Sequence, residues 1–308
     1  MSRAGLLRSA QEYLALRRAL GFKLYQETWL LPDFVGFLTA HGSPFITTEL
    51  AVCWAQQPPG ASARWCAKRL SAIRCFAKHR RAFDPRTEVP PPDLIPCRTT
   101  RRLPHLYTES EIAVLMREAR QLRPPVMAAS YATIIGLLAA TGMRVGEALA
   151  LDDGDVDWSR SLLKVRHAKF QRSRLVLLHR SVVAALREYV AVRDRLCVRL
   201  GPWFFTSTVG TRVIHQNFLH VFRRLARRAR IGDRGRARRP RLHDLRHTFA
   251  VNTVRDWYRS GIDVERRLFS LSTYLGHVSP TSTYWYLTAT PELLALAGAR
   301  LESWRSRR

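Results

Sequence analysis

The chain has 308 residues, 46% of them hydrophobic, and carries 51 lysines and arginines against 24 aspartates and glutamates. That length favours two domains, and a formal net charge of +27 makes a polyanion the expected partner, because displacing condensed counterions from nucleic acid drives binding. A membrane or secreted protein is disfavoured: the best apolar run, Ala132 to Ala140, is too short for a bilayer, and the N-terminus lacks a signal peptide's long apolar region and cleavage site.

In chain order, Leu6 to Phe83 reads as helical. Leu14, Leu16 and Leu20 belong to a first segment closed by Gly21, and Leu30, Phe34, Phe37 and Leu38 follow at helical spacing. Thr47-Thr48-Glu49 opens a third segment and Ala63 to Phe83 forms a fourth. The fourth carries Arg64, Lys68, Arg69, Arg74, Lys78, Arg80 and Arg81, which in so basic a chain are expected to meet phosphates. Five cysteines form no CxxC pair, and Cys66, Cys75 and His79 lack a fourth ligand at zinc-finger spacing, so buried reduced thiols and no metal are expected.

The prolines of Val89-Pro90-Pro91-Pro92-Asp93-Leu94-Ile95-Pro96, followed by Arg98 to Arg102, read as a semi-rigid linker. The organisation expected is a helical domain over residues 1–88, a linker over 89–105 and a second domain over 106–308. Thr108-Glu109-Ser110-Glu111 looks like a capping box. Ala128 to Leu149 is predicted helical with a break near Thr141-Gly142. Leu162 to Arg166 and Arg174 to Leu178 would pair as a hairpin, and helices resume over Val182–Val192 and Gln216–Arg230. The fold class is therefore mostly α with a small β-sheet.

Four segments suit phosphoryl transfer. Arg144 starts a helix, where a planar donor fork and the positive helix end both favour a phosphate, and Glu147 is placed to orient it. Lys169, in the hairpin loop, could protonate a leaving oxygen. His243 and Arg246, three residues apart on a helix, face one phosphate together. Gly276 allows a sharp turn beside His277, and Tyr286, nine residues later, is a candidate phenol nucleophile. A further arginine-rich run between Phe222 and Arg241 suits the phosphate backbone.

In order and spacing, Arg144, Lys169, His243-x-x-Arg246, Leu275-Gly276-His277 and Tyr286 resemble the tyrosine recombinase (phage integrase) family from about Thr108 onward. The first half is similar, more loosely, to that family's helical core-binding domain. The resemblance implies a mixed α/β catalytic domain in which Arg144 and Arg246 clamp the scissile phosphate and Tyr286 attacks phosphorus. A 3′-phosphotyrosyl link and a free 5′-hydroxyl would result. His243 would serve as general base, Lys169 as acid towards the departing 5′-oxygen, and His277 as a hydrogen-bond donor to phosphate. Family spacing selects Tyr286 over Tyr284. No metal or other cofactor is implied. The implied partner is double-stranded DNA, bound as a tetramer with itself or related recombinases, in which the apolar segment Pro291 to Gly298 either docks on a neighbour or packs at home. With no evident arm-binding domain before Leu6, a short-site or mobile-element recombinase acting in integration or transposition is expected in the cytoplasm. A type IB topoisomerase and a non-catalytic DNA-binding accessory protein are the alternatives.

Overall fold

The computed structural model describes residues 3–97, 103–166, 173–198, 200–232 and 239–276, with isolated residues 295, 298 and 302. The chain forms two compact units, Met1–Arg102 and Leu103–Arg308.

The first unit is helical: α1 (Arg3–Ala19), α2 (Glu27–Ala40), α3 (Thr48–Gln56) and α4 (Ala63–Arg81). α3 is capped as the sequence suggests, the Thr47 side chain accepting from Leu50 N, and α4 is capped by Ser62, whose side chain accepts from Trp65 N. Phe34, Trp54, Ile73 and Phe76 centre its core. The basic α4 is divided in its duties. Arg64, Lys68, Lys78 and Arg81 are exposed, whereas Arg69 and Arg80 are buried. Arg69 lies over the Trp54 ring and donates to Trp54 O at 2.9 Å, and Arg80 pairs with Asp84. Arg74 donates to the carbonyls of Pro90 and Pro91, both at 2.8 Å. The expectation that all seven cations meet phosphates is thus corrected for these three, because each is spent on an acceptor distant in sequence or on the next turn. The cysteine expectation is corrected too: only Cys66 is buried, while Cys53 and Cys75 lie on the outer faces of α3 and α4.

The proline-rich segment begins attached to this unit. Val89 packs on the core and Ile95 is buried in it, while Arg74 takes carbonyls that the neighbouring prolines, having no N–H, cannot engage.

In the second unit, α5 (Glu109–Arg120) and α6 (Pro125–Thr141) precede the short α7 (Val145–Leu149). The expected capping box is present: Glu111 N donates to Thr108 Oγ1 at 3.1 Å and Thr108 N to Glu111 Oε2 at 2.9 Å. A small antiparallel sheet follows, in order β1 (Val156–Asp157), β2 (Leu162–Val165), β3 (Arg174–Leu177), with Leu163 paired to Val176 and Val165 to Arg174. The two-residue β1 is too short to leave a periodic signal in sequence. Then come α8 (Arg180–Leu196), α9 (His215–Arg228), α10 (Asp244–Arg259) and α11 (Val264–Leu275). Tyr131, Leu138, Phe205 and Phe222 belong to the main core, and α10 and α11 close a smaller one around Val254 and Leu271. Among the described residues no helix is long and apolar enough to cross a membrane.

Candidate active site

α6 stops where the sequence expects its break. Gly142 adopts φ +62°, and a Cβ there would come within 2.4 Å of the Phe249 ring on α10. Only glycine takes that conformation and lets the two elements approach so closely. The chain then turns into α7, setting Arg144 at its start. α10 begins at Asp244, whose buried carboxylate receives Arg241 Nη2 at 2.9 Å and Arg241 N at 3.0 Å. His243 and Arg246 therefore lie on the first turn of a helix with a fixed beginning. α11 ends at Gly276, also left-handed at φ +67°.

These three helix ends meet. Arg246 is 2% exposed and donates to Gly142 O at 2.9 Å and to Leu275 O at 2.6 Å. Arg144 donates to Gly276 O at 2.9 Å and to Glu147 Oε1 at 2.8 Å. The two guanidiniums thus take adjacent carbonyls at the C-terminus of α11, where a helix leaves acceptors unpaired and its dipole favours cations. Arg144 keeps 29% side-chain exposure, so it is open to solvent where Arg246 is sealed from it.

Glu147 holds the arrangement together. Its oxygens also accept Arg144 N at 2.9 Å and Arg174 Nη1 and Nη2 at 3.0 and 2.7 Å. Burial raises its carboxyl, but the two arginines overcome this and hold it down at about 2. Arg174, the first residue of β3, also donates through Nε to Tyr274 O at 2.8 Å. The sequence marks it only as the start of a strand: Leu175 to Leu178 are all apolar, so no alternation names the inward face, and folding turns Arg174 to the side of Val176 with Leu175 and Leu177 outward.

His243 reaches solvent, yet much of its ring is enclosed. Burial first, then the nearby cations of Arg246, Arg144 and Arg241, lower its imidazole to about 4. The neighbouring His247 ring stands edge-on to it at 4.8 Å and is likewise lowered to about 4, by burial and then by His243. Both imidazoles are neutral at pH 7, the form that accepts a proton. Lowered histidines bind protons more readily in the unfolded chain, so the stability of His247 is complete above its unfolded pKa of 6.5 and is lost as pH falls from there to about 4. For buried His247 this is roughly 3 kcal/mol. Ring-nitrogen NMR should place both titrations well below pH 6, and thermal melts should fall between pH 6.5 and 4.5 less steeply in His247→Asn. A titration at 6.5 would overturn the account.

Of the six candidate site residues, Arg144, His243 and Arg246 come together. Lys169, His277 and Tyr286 lie outside the described residues. Tyr274 is half-buried against Phe249, the rings stacked at 5.8 Å, with its hydroxyl pushed up to about 12 by burial.

Two guanidiniums on a shared anchor, beside a neutral imidazole, suit one phosphodiester. Residues 106–292 match the phage integrase family. The y4rB protein of Sinorhizobium fredii, an integrase/recombinase by name, is 43% identical, the match covering 97% of this chain and 98% of that one. The chain belongs to the phage integrase family.

Solved structures agree in fold. The tyrosine-recombinase-family chain is similar to the XerH site-specific recombinase bound to a palindromic difH substrate, at TM-score 0.65 and 19% identity, covering 98% of this chain and 85% of that one. The Tn1549 transposon integrase in complex with circular intermediate DNA gives TM-score 0.66 and 16% identity, covering 90% and 94%. The fold is thus mostly helical with a small sheet, as the sequence leads one to expect.

Proposed function

We propose that the chain is a site-specific DNA recombinase of integrase or transposase type, cutting and rejoining double-stranded DNA through a 3′-phosphotyrosyl intermediate. The observation that carries this is the meeting of Arg144 and Arg246 on the adjacent carbonyls of Leu275 and Gly276, beside neutral His243. Arg144 and Arg246 hold the non-bridging oxygens and stabilise the charge that builds on the pentacoordinate phosphorane. The Tyr286 oxygen attacks phosphorus and passes its proton to His243. The 5′-oxygen leaves with a proton from Lys169, and His277 donates to a phosphate oxygen. In the reverse step a 5′-hydroxyl attacks the tyrosyl ester and His243 returns the proton to Tyr286. Bond energy is kept in the ester, so rejoining needs no added nucleotide.

The division of labour we propose assigns residues 1–88 to DNA core binding, 89–105 to a linker and 106–308 to catalysis. Exposed Arg64, Lys68, Lys78 and Arg81 of α4 and exposed Arg223, Arg224 and Arg227 of α9 supply phosphate contacts without base choice. The active assembly is a tetramer on DNA, with itself or related recombinases, in the cytoplasm.

The test is covalent capture. The protein is incubated with a randomised duplex library carrying a nick, so that cleavage releases a short strand and traps the enzyme. The expected product is an adduct that survives detergent, mapped to Tyr286 by peptide mass spectrometry and enriched for one DNA sequence. No adduct with any duplex would favour a DNA-binding accessory protein. Relaxation of any supercoiled plasmid, without a preferred site, would favour a type IB topoisomerase.

A further inference from the structure

Arg174 joins three of the chemistry-bearing segments through one side chain. It grips Glu147 with two bonds, at 2.7 and 3.0 Å, and Tyr274 O with a third at 2.8 Å, while 12% exposed. It also lies close against Gly276, where a Cβ would come 3.0 Å from Arg174 Nη1. The carboxylate it grips is the one that binds Arg144.

The charges explain why a second arginine is useful there. Glu147 with Arg144 alone would form a neutral pair, and a carboxylate with an open oxygen would compete with phosphate for the Arg144 fork. With Arg174 present, two guanidiniums share one carboxylate and the group carries one net positive charge. Glu147 is then saturated, and one Arg144 nitrogen is left to Gly276 O.

We propose that Arg174 is a positioning residue: acting through Glu147, it keeps the Arg144 guanidinium and its surplus charge turned towards the scissile phosphate. The inference rests on the recombinase reading above and adds a residue to it.

The experiment uses the full chain and the duplex recovered by covalent capture, made in two forms. One has the native scissile phosphate, and the other a methylphosphonate lacking the non-bridging charge that Arg144 would balance. Arg174→Ala should slow adduct formation on the native duplex by about 10–100-fold, with DNA affinity within about threefold of wild type. On the methylphosphonate the gap between wild type and variant should shrink to a few-fold. Arg174→Lys, which keeps the charge and loses the fork, should recover part of the native rate, and Arg174→Gln should not. An equal defect on both duplexes, or a loss of affinity that accounts for the loss of rate, would overturn the proposal. If Arg174→Ala does not fold, the Lys and Gln variants are compared on the same two substrates and decide it in the same way. Absence of any wild-type adduct would remove the recombinase reading and this proposal with it, whereas a wild-type adduct with an unchanged substrate ratio removes the proposal alone.

Discussion

Replacing Tyr286 by phenylalanine abolishes covalent capture of DNA, a loss of roughly 10⁴-fold or more, while DNA affinity stays within about twofold. The change deletes one oxygen and keeps the ring, so phosphate contacts made by the arginines are untouched. No described tyrosine near the arginines can substitute. Tyr274 is nearest in sequence to the anchor, but its ring is stacked on Phe249 and its hydroxyl is held protonated by burial. The Tyr107 hydroxyl donates to Arg241 O at 3.2 Å and is pushed far above its ordinary value by burial. Tyr284→Phe, two residues from the proposed nucleophile, retains the adduct. The pair is read by denaturing gel after incubation with the captured duplex. An adduct on Tyr286→Phe, or its loss from Tyr284→Phe alone, contradicts the assignment.

Arg246→Ala lowers the cleavage rate by about 10³-fold, the scale expected when a donor aimed at developing phosphorane charge is removed. It also lowers stability, by about 2–4 kcal/mol, because the carbonyls of Gly142 and Leu275 lose their partner in a buried site. The two effects separate by assaying below the variant's unfolding midpoint, where the folded fraction is full and the rate defect persists. Arg246→Lys restores the charge, but an ammonium on a flexible stem does not offer the same rigid fork to two carbonyls and a phosphate together. It should remain at least about tenfold slow. Cleavage by Arg246→Lys at the wild-type rate would show that charge alone suffices and that the carbonyl anchors are incidental.

Much of this fold is written locally. The caps at Thr47 and Thr108 and the left-handed stops at Gly142 and Gly276 each rest on residues a few positions apart, and a linear reading finds them. Arg144, His243 and Arg246 were legible for another reason: their spacing matches a family pattern, and that pattern encodes a shape. What stayed illegible depends on partners brought close only by folding. Arg69 and Arg80 look like phosphate ligands until Trp54 and Asp84 claim them. Arg174 looks like an ordinary strand residue until Glu147, 27 positions away, meets it. The acceptors that fix Arg246 are main-chain oxygens, which leave no mark in a sequence at all.

Main-chain acceptors also govern how this site tolerates change over generations. A side-chain ligand can be erased by a single codon, but a carbonyl survives every substitution, so the oxygens at 142, 275 and 276 that hold Arg144 and Arg246 are beyond the direct reach of point mutation. What mutation can damage is the path of the chain that presents them, and at Gly142 and Gly276 positive φ with crowding leaves little room for another residue. The solved recombinases at 16–19% identity share the fold.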